Sequence, residues 1–427
     1  MSIFQSVYSQ IAARKTFWQT DEFPQYHTNG KPHILEGRLS FFYNNEWKER
    51  QLVKLSKSSM YFSEASGVLV WLKIKWCLVT SFSEEKNSGD LYGFTLSLET
   101  NIKQDFYTEN SEALDQWLSI LSQVSIMTNI QQDYVIIKEI DSGKFGTVYL
   151  CQDINTHEEY AMKKILKKDL INAKYLNQIF NEIAILRKLD HKSIIKLYKV
   201  YEEKKYISLI LEYIPYGNML KRILKKKKLT EKQVMIFSRN LFEVLAYIHS
   251  KGIIHRDLKL ENILMTSNTG NSEFKLADFG LACYIDKSLK SKSGSPGYMA
   301  PEILRGNTYS TKVDVFSAGI IIFILLTGTS PFVANTTQKI IEKNLKCRIC
   351  FEGNECKSMS RHATSFIIEI LTSEPTYRPT AQQVLKHPWI KYKSCSDSEL
   401  ASSSPYTSAG KLFGEVGGLI WDIKLEN

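Results

Sequence analysis

From Ile34 to about Thr100, short runs of β-branched, aromatic and aliphatic residues alternate with polar turns. Alternation at a period of two predicts an antiparallel sheet with one buried face. A helical pattern follows, with Ser111 as the expected N-cap and Trp117 on the apolar face. We therefore expect a curved sheet closed by one amphipathic helix. The predicted strands are Leu39–Tyr43, Gln51–Leu55, Val68–Ile74 and Leu91–Leu98, and the apolar face of the helix holds Leu114, Trp117, Leu118 and Leu121.

From Gln131 the pattern changes to three strand-like runs, a helix, two further strands and a mostly helical remainder. This order predicts an α+β fold of two lobes, the first rich in sheet and the second helical. The longest apolar run, Ala318 to Leu326, has nine residues, which is too short to span a bilayer, so we expect a buried helix there. The predicted elements are strands at Val135–Ile140, Thr147–Gln152 and Glu159–Ile165 and a helix at about Leu176–Leu189.

These changes of pattern divide the chain into an N-terminal segment (1–27), an N-terminal domain (28–130), a larger domain (134–390) and a serine-rich tail (391–427). The first twenty residues suit an amphipathic helix, and we expect a frayed or domain-packing terminus, with targeting as the alternative. We expect the tail to be flexible and its apolar end, Leu419-Ile420-Trp421, to dock on a folded domain.

Composition and charge narrow the class of protein. A hydrophobic fraction of 43% and a charged fraction of 23% exclude global disorder and a membrane-embedded body. The net charge of +10 lies almost wholly in the larger domain, because residues 28–130 hold ten Lys/Arg against twelve Asp/Glu. Its focus is Lys221, Arg222 and Lys225 to Lys228, where we expect a solvated helix face, with an acidic docking partner or anionic lipid as the alternative. We expect no nucleic-acid partner.

The seven cysteines are an odd number in a large chain without a secretory signal, which predicts reduced thiols and a cytoplasmic location. Cys347 and Cys350 form a C-x-x-C, but only Cys356 lies near and no second pair follows. We therefore expect structural thiols there and no metal site.

Three short motifs mark the N-terminal domain: Glu36-Gly37-Arg38-Leu39, Trp47-Lys48-Glu49-Arg50, and Trp117 in the closing helix. Over about a hundred residues they resemble the pleckstrin-homology domain, which implies a β-barrel capped by a helix. Members that bind phosphoinositides use a lysine near the end of the first strand with a Lys-x-Arg pair on the second. Lys48 and Arg50 match the pair, but Phe41 stands where the first lysine is expected. Two interpretations stay open: a domain that binds phosphoinositide or an anionic membrane and recruits the protein there, or a protein-binding or autoinhibitory domain.

The larger domain opens with the run Asp141-Ser142-Gly143-Lys144-Phe145-Gly146-Thr147-Val148 between two predicted strands. Glycines there let backbone N–H groups close over the phosphates of a nucleotide. The run resembles the glycine-rich loop of protein kinases, except that Asp141 occupies the place of the first glycine. We expect this carboxylate to weaken nucleotide affinity.

The next strand, Tyr160-Ala161-Met162-Lys163, has the form in which the lysine of a kinase reaches the α- and β-phosphates. Lys164 points to the opposite face because side chains alternate along a strand. Glu182, nineteen residues after Lys163 in a predicted helix, is the expected partner of that lysine.

Two motifs are the most specific in the larger domain. They are His255-Arg256-Asp257-Leu258-Lys259-Leu260-Glu261-Asn262 and, sixteen residues later, Asp278-Phe279-Gly280. They resemble the catalytic loop and the metal-binding motif of protein kinases. The resemblance implies that Asp257 accepts the proton of the substrate hydroxyl, Lys259 neutralises the γ-phosphate of ATP, and Asn262 and Asp278 hold Mg²⁺. The residues that it implies around the nucleotide are Ile140, Ser142, Gly143, Lys144, Phe145, Gly146, Val148, Ala161, Lys163, Glu212 and Leu264.

Further matches extend the resemblance over some 255 residues. Ala300-Pro301-Glu302 ends the activation segment, and Arg378 is the expected buried partner of Glu302. Asp314 is expected to anchor the catalytic loop from a buried helix. His387-Pro388-Trp389 resembles the end of calcium/calmodulin-kinase-like catalytic domains.

Lys259 and Ser295 match serine/threonine kinases, so the resemblance implies protein substrates phosphorylated on serine or threonine. Arg256 before Asp257 is typical of kinases activated by a phosphate on the activation segment. Ser288, Ser291 and Ser293 are candidates; Ser291 fits best, phosphorylated by an upstream kinase or by autophosphorylation.

About seven residues separate the closing helix from Tyr134, so the two domains are expected to be near neighbours. We expect the N-terminal domain to restrain the kinase until a ligand or partner binds, and deletion of residues 1–127 to raise activity.

Two other classes of protein compete with this interpretation. A pseudokinase scaffold is favoured only by Asp141. It is opposed by the full set of catalytic motif residues, which are Lys163, Glu182, Asp257, Asn262 and Asp278. A membrane-recruited adaptor depends on the incomplete lipid motif. Neither the tail nor the end of the kinase-like domain has the pattern of a basic amphipathic helix that binds calmodulin, so calcium control is not expected.

Overall fold

The computed structural model describes residues 34–56, 58–84, 90–99, 102–143, 146–170, 172–225, 229–268, 273–286, 289–351, 356–357 and 359–391. The chain forms two compact units, Met1–Ala173 with Lys196–Tyr213 and Lys174–Ile195 with Ile214–Asn427. In the described ranges no helix has the length and apolar character needed to cross a membrane. The N-terminal segment, Lys226 to Lys228 of the basic cluster and the apolar end of the tail lie outside the described residues.

The first unit begins with antiparallel strands whose side chains alternate between core and solvent. In the first strand, Leu39, Phe41 and Tyr43 are buried while Arg38 and Phe42 are exposed, as a period of two requires. The predicted sheet and closing helix are present, and three strands were not predicted (β3, β5 and β7). The elements are β1 Leu35–Tyr43, β2 Glu46–Leu55, β3 Ser59–Ser63, β4 Leu69–Lys73, β5 Leu78–Glu84, β6 Leu91–Glu99, β7 Ile102–Thr108 and α1 Ser111–Val124.

Helix α1 begins one residue earlier than predicted. Asn110 is the N-cap, because its backbone is extended and its side chain accepts a hydrogen bond from the Ala113 N–H at 2.8 Å. The prediction of Ser111 as the cap was therefore wrong. Trp117 is buried as expected, and a Cβ at Gly37 of β1 would lie 3.0 Å from its indole nitrogen. The close approach of α1 to the sheet thus depends on this glycine.

A two-residue strand, β8, connects the N-terminal sheet to the strands of the larger domain. The combined sheet has the order β4-β3-β2-β1-β7-β6-β5-β8-β12-β13-β11-β10-β9. One hydrophobic core runs along it, from Leu39 and Phe94 in the N-terminal domain to Tyr134 and Tyr201 in the larger domain. The added elements are β8 Ile126–Met127, α2 Ile130–Asp133, β9 Tyr134–Gly143, β10 Gly146–Asp153, β11 Glu159–Leu166, a 3-10 turn at Lys167–Leu170, β12 Leu197–Glu202 and β13 Tyr206–Glu212.

The second unit is mostly helical, as predicted, and the α+β content agrees with the predicted fold class. The apolar run at Ala318 lies in a helix that is buried on nearly all sides, which confirms the predicted core helix. The elements are α3 Ala173–Lys188, α4 Met219–Leu224, α5 Glu231–Ser250, β14 Ile253–Ile254, a 3-10 turn at Leu260–Asn262, β15 Ile263–Met265, β16 Phe274–Leu276, β17 Cys283–Tyr284, α6 Pro301–Arg305, α7 Lys312–Thr327, α8 Thr337–Lys346, α9 Arg361–Ile370, α10 Ala381–Val384 and α11 Pro388–Lys391.

One buried contact of the second unit, the pair of Arg378 and Glu302, was predicted from sequence. Arg378 donates hydrogen bonds to Glu302 at 2.6 and 3.1 Å, and both residues are almost fully buried. The six cysteines among the described residues form no disulfide, and Cys347 donates to the Leu371 carbonyl at 3.3 Å. That contact gives Cys347 a structural role.

Candidate active site

The loop that follows β14 is anchored by a buried carboxylate. Asp314 on α7 accepts hydrogen bonds from the backbone N–H groups of His255 and Arg256, both at 2.9 Å, and lies 2.9 Å from His249 Nε2. Burial alone would raise the pKa of Asp314, but the hydrogen bonds from His249 and His255 lower it. Arg256 has a left-handed backbone, with φ of 66°. Asp314 therefore stabilises a strained turn that sets the direction of the next residue, Asp257.

The Asp257 carboxylate is the centre of the cluster. Lys259 Nζ donates to its Oδ2 at 2.8 Å, and Ser295 Oγ donates to its Oδ1 at 2.7 Å. The Asn262 amide nitrogen donates to the Asp257 carbonyl at 2.8 Å and contacts Oδ2 at 3.3 Å. A buried carboxylate that accepts a charge-assisted bond is held in one orientation. Asp257 can thus act as a fixed proton acceptor.

Lys259 contacts both Asp257 and Ser295, whose hydroxyl lies 3.3 Å from its Nζ. Burial opposes the charge on Lys259, but the Asp257 carboxylate raises the pKa of the ammonium above its ordinary value. Lys259 therefore carries a permanent positive charge beside the proton acceptor. The sequence marked Ser295 only as a sign of substrate class; its direct bond to Asp257 was not predicted.

The segments that carry Asn262 and Asp278, the two predicted metal ligands, are joined by a backbone hydrogen bond. The Ala277 N–H donates to the Asn262 carbonyl at 2.8 Å, and Asp278 has a left-handed backbone, with φ of 58°. Their side chains offer hard oxygen donors, the type that Mg²⁺ prefers, and Mg²⁺ usually takes its remaining ligands from phosphates and water. Within the described ranges no group of three or more His, Cys, Asp or Glu forms a metal cage. The donor set fits a metal that arrives with a nucleotide.

His255 connects the loop that carries Asp257 to the segment after β16 that carries Asp278. Its Nδ1 accepts from the Asp257 N–H at 3.3 Å, its Nε2 lies 3.2 Å from the Ala277 carbonyl, and its ring packs 4.8 Å from that of Phe279. Burial lowers the pKa of His255, so the neutral ring donates from Nε2. One imidazole therefore orients both motifs.

Glu182 is buried on α3 beside the same segment. A Cβ at Gly280 would lie 3.4 Å from Glu182 Oε2 and 3.1 Å from Asp278 Oδ1, so a side chain there would crowd both carboxylates. Lys163 is buried in β11 of the first unit, whereas Glu182 belongs to the second unit. The pairing of Lys163 with Glu182 stays a prediction.

Comparison with known proteins agrees with this geometry, since residues 134–390 match the protein kinase domain family. The chain belongs to that family. Calcium-dependent protein kinase 10 of Arabidopsis thaliana is 39% identical over 271 residues, which are 63% of this chain and 50% of that protein. A Plasmodium falciparum protein named "Probable serine/threonine-protein kinase 2" is 34% identical over 293 residues, 68% of this chain and 57% of that protein. A Dictyostelium discoideum protein named "Probable myosin light chain kinase" is 38% identical over 265 residues, 60% of this chain and 83% of that protein.

The chain spans about half the length of the calcium-dependent kinases that it matches. The family match begins at residue 134 and leaves the N-terminal domain outside it. The comparisons support a protein serine/threonine kinase, and the family match does not reach residues 28–130.

The nucleotide loop of the kinase lies between β9 and β10. Gly146 has φ of 127°, and a Cβ there would lie 2.2 Å from the Lys164 carbonyl oxygen, so only glycine fits. A Cβ at Gly143 would meet nothing within 4 Å. Asp141 is extended, and its Oδ1 accepts from the Ser142 N–H at 2.9 Å. Lys144 and Phe145 lie outside the described residues.

The other residues implied around the nucleotide fall in both units of the kinase. In the first unit, Ile140 and Val148 are half-buried in β9 and β10, Ala161 is buried in β11, and Glu212 ends β13. Leu264 lies in β15 of the second unit, in a bridge with Asn218. These residues therefore lie on strands. Their arrangement around one nucleotide stays a prediction.

Arg256 connects the catalytic loop of the kinase to its activation segment. Its Nε donates to the Leu281 carbonyl at 2.6 Å, and its Nη1 lies 2.8 Å from Ser291 Oγ and 3.2 Å from the Tyr309 hydroxyl. Tyr309 also donates to the Ser291 carbonyl at 2.8 Å. Nothing in the sequence marks Tyr309 as a member of this cluster. Ser288 lies outside the described residues, so among the predicted serines Ser291 is the one seen against Arg256.

The two cationic residues of the predicted lipid motif are paired with glutamates. Lys48 forms an ion pair with Glu46 at 2.7 Å and Arg50 one with Glu109 at 2.5 Å. The hydrogen bond that Lys48 donates to the Glu46 carboxylate raises the pKa of Lys48. Phe41, at the place of the missing lysine, is fully buried and packs 5.2 Å from the ring of Phe62. Each cation already has an acidic partner, and the third position faces the core.

Proposed function

We propose that this protein transfers the γ-phosphate of ATP to serine and threonine hydroxyls of protein substrates. The observation that carries the proposal is the Asp257 carboxylate, held at 2.7–2.8 Å between Ser295 and Lys259 in the loop that also carries Asn262. This is the arrangement that phosphoryl transfer requires, a base beside a fixed cation and oxygen ligands for a metal.

In the proposed reaction, Asp257 orients the substrate hydroxyl and accepts its proton as the oxygen bonds to the γ-phosphorus. The bond between that phosphorus and the β–γ bridging oxygen breaks, and ADP leaves. Lys259 offsets the charge on the transferred phosphoryl group. Asn262 and Asp278 would hold Mg²⁺, which supplies charge neutralisation of the phosphate oxygens when bound.

The substrate class follows from Ser295 and Lys259, which match serine/threonine kinases, and from the relatives. The names of the Arabidopsis relatives include calcium dependence. Neither the tail nor the end of the kinase domain of this chain has the sequence pattern of a calmodulin-binding helix, so calcium control is not part of the proposal.

The test is phosphate transfer from ATP to a peptide array by the wild type and by Asp257→Asn. The substitution keeps the shape and removes the base, so kcat should fall by a factor of about 10² to 10⁴. The matched control is Asp115→Asn, at an exposed position of α1, which should transfer at the wild-type rate. Equal rates for wild type and Asp257→Asn would overturn the enzymatic proposal.

A pseudokinase scaffold is the second candidate, and Asp141 is the observation that favours it. Its carboxylate stands on the nucleotide loop and takes the Ser142 N–H that would otherwise face a phosphate. A wild-type protein that binds peptide but transfers no phosphate at millimolar Mg-ATP would support this alternative.

We also propose that phosphorylation of Ser291 activates the kinase. Ser291 is exposed and its hydroxyl already contacts Arg256, so a phosphate there would gain charge-assisted hydrogen bonds from that guanidinium. An upstream kinase or autophosphorylation would supply it.

The test compares Ser291→Ala with the neighbouring control Ser293→Ala and with Arg256→Ala. Ser291→Ala and Arg256→Ala should lose the activation seen after phosphorylation, whereas Ser293→Ala should keep it. Full activation of Ser291→Ala together with its loss in Arg256→Ala would dismiss Ser291.

For residues 28–130 we propose a pleckstrin-homology-like domain, supported by seven antiparallel strands followed by one closing helix. The ion pairs of Lys48 and Arg50 favour a protein-contacting role, with phosphoinositide binding as the alternative. We propose that this domain regulates the kinase through the sheet that the two share.

A further inference from the structure

Strand β8 belongs to the N-terminal sheet and to the kinase sheet at the same time. It runs parallel to β5, where Ile126 N–H donates to the Cys77 carbonyl at 2.8 Å and Thr128 N–H to the Val79 carbonyl at 3.1 Å. Since N–H groups alternate in direction along a strand, the intervening Met127 N–H faces the other neighbour, β12. There Met127 pairs with Tyr201. The backbone of two residues thus joins two domains.

Side chains reinforce the junction on the kinase side. The Tyr201 hydroxyl donates to Asp133, and Lys199 Nζ lies 3.4 Å from the same carboxylate. Tyr201 is fully buried, and its ring stands edge-on to that of Tyr134 at 6.0 Å. Burial raises the pKa of Tyr201, so the phenol stays a donor. The backbone carbonyl of Asp133 also accepts a hydrogen bond from the Ile154 N–H at 2.9 Å.

A continuous register connects this junction to the nucleotide-binding lysine. Next to Tyr201 in β12, Val200 pairs with Leu209 of β13, and Leu209 pairs with Lys163 of β11. Lys163 therefore sits three strands from β8 in one hydrogen-bonded sheet. A displacement of β12 would be passed to Lys163 through two strand pairs.

We propose that the N-terminal domain is a structural part of the kinase small sheet, and that through β8 and Tyr201 it positions Lys163 for nucleotide binding. Met127 and Tyr201 are then positioning residues. The positioning step rests on the proposed kinase function, whereas the structural unity of the two domains does not.

The inference reverses one expectation from the sequence. Deletion of residues 1–127 would remove β8 and turn β12, now an inner strand, into an edge strand with unpaired backbone groups. It would also cut through the shared core. The domain should therefore support activity, and weakening its junction should lower activity, where a restraining domain would give an increase.

The direct test is hydrogen exchange on the full chain, wild type against Tyr201→Phe, followed by mass spectrometry. The substitution keeps the buried ring and removes the hydroxyl bonded to Asp133. If the two domains open as one unit, exchange should rise by about fivefold in β12 and β13 and by the same factor in β5 of the N-terminal domain. A rise confined to β12 and β13 would overturn the proposal, because the domains would then open separately.

A matched control and a stronger variant complete the design. Tyr107→Phe makes the same chemical change on a half-buried ring of β7. Loss of the hydroxyl should cost little there, so exchange in β12 should stay at the wild-type rate. Met127→Pro removes the N–H that faces β12 and should raise exchange in both domains by more than tenfold. If Met127→Pro fails to fold, Tyr201→Phe still decides the question.

Kinetics test the positioning step. In Tyr201→Phe the KM for ATP should rise, by about two- to fivefold if the lost hydrogen bond is felt at Lys163. The KM for peptide should stay constant because Asp257 and Lys259 lie in the other unit. An unchanged KM for ATP would show that Tyr201 does not position Lys163. A wild type that transfers no phosphate would defeat the proposed function, while the exchange experiment would still decide whether the domains are one unit.

Discussion

The catalytic loop and the outer face of β2 both carry charged residues that a sequence motif singled out, yet the two regions differ in how those charges are used. Asp257 and Lys259 are 5% and 8% exposed and bond to each other. Lys48 and Arg50 extend along the surface, and each ends on a nearby glutamate. A buried charge is tolerated only where partners converge on it, whereas a surface pair forms wherever opposite charges are close. A match between charged residues and a motif therefore predicts a site most reliably where the fold buries them.

The largest effect should come from breaking a buried pair. We expect Glu302→Gln to lower the free energy of unfolding by about 3 kcal/mol, because it leaves the buried Arg378 guanidinium with reduced compensation. Its remaining bonds to the Thr372 and Ser373 carbonyls, at 2.9 and 3.2 Å, limit the loss. Urea unfolding followed by fluorescence measures it.

The surface counterpart is Glu36→Gln, which removes the partner of Lys54 at 3.3 Å, where both side chains are 37% exposed. Its cost should stay below about 1 kcal/mol. Equal losses in the two variants would contradict the distinction between buried and surface charges.

Part of the scaffold around the candidate site could be predicted from sequence, because buried hydrogen bonds hold it. Asp314 lies 57 positions from Asp257 in the chain, yet its role as anchor was predicted and is confirmed by two hydrogen bonds of 2.9 Å. The buried pair of Glu302 and Arg378 is a second such case. The catalytic roles of Asp257 and Lys259 stay predictions.

Other features leave no comparable trace in the sequence. Strand β8 has two residues, and a run of that length has no periodicity to detect. Asn110 and Ser111 are both good N-caps, and only the backbone conformation separates them. Tyr309 reaches Ser291 through tertiary packing, with no local pattern around it.

The buried histidine of the catalytic loop should make stability depend on pH. Burial lowers the pKa of His255 below its ordinary value of 6.5, so the unfolded chain binds this proton more readily than the folded one. The contribution to stability is present above about pH 6.5 and is lost as the pH falls below it. We expect the free energy of unfolding to be smaller at pH 5 than at pH 7.

His255→Gln should reduce this slope, since glutamine does not titrate. The control is His157→Gln, which removes a histidine from an exposed position between β10 and β11 and measures the effect of losing a surface histidine. Urea titrations at several pH values measure it, and an unaltered slope in His255→Gln would show that the ring titrates alike in both states. His191 and His387 also have pKa values lowered by burial, so part of the slope should remain.

A smaller effect on nucleotide binding is expected at Asp141, a charged residue in the predicted glycine-rich loop. We expect Asp141→Gly to lower the KM for ATP by about fivefold, corresponding to about 1 kcal/mol of repulsion between the carboxylate and the phosphates. Asp141→Asn keeps an acceptor for the Ser142 N–H and removes only the charge, so it separates the two causes. The dissociation constant of adenosine, which has no phosphates, should be the same in all three proteins; a parallel change would point to altered packing.

The smallest effect should be found at the predicted lipid motif, where substitution of the acidic partners can turn paired surface charges into unpaired ones. With Lys48 and Arg50 already bound to Glu46 and Glu109, the double substitution Lys48→Ala with Arg50→Ala should change sedimentation with phosphoinositide vesicles by less than about twofold at 0.15 M salt. Releasing the cations is the informative experiment. Glu46→Gln with Glu109→Gln leaves both side chains in place without acidic partners, and two freed cations should strengthen binding by up to about 2 kcal/mol, or about thirtyfold. The opposite result would be strong binding of such vesicles by the wild type and loss of binding in the alanine variant. It would show that the ion pairs open readily and that Lys48 and Arg50 bind lipid.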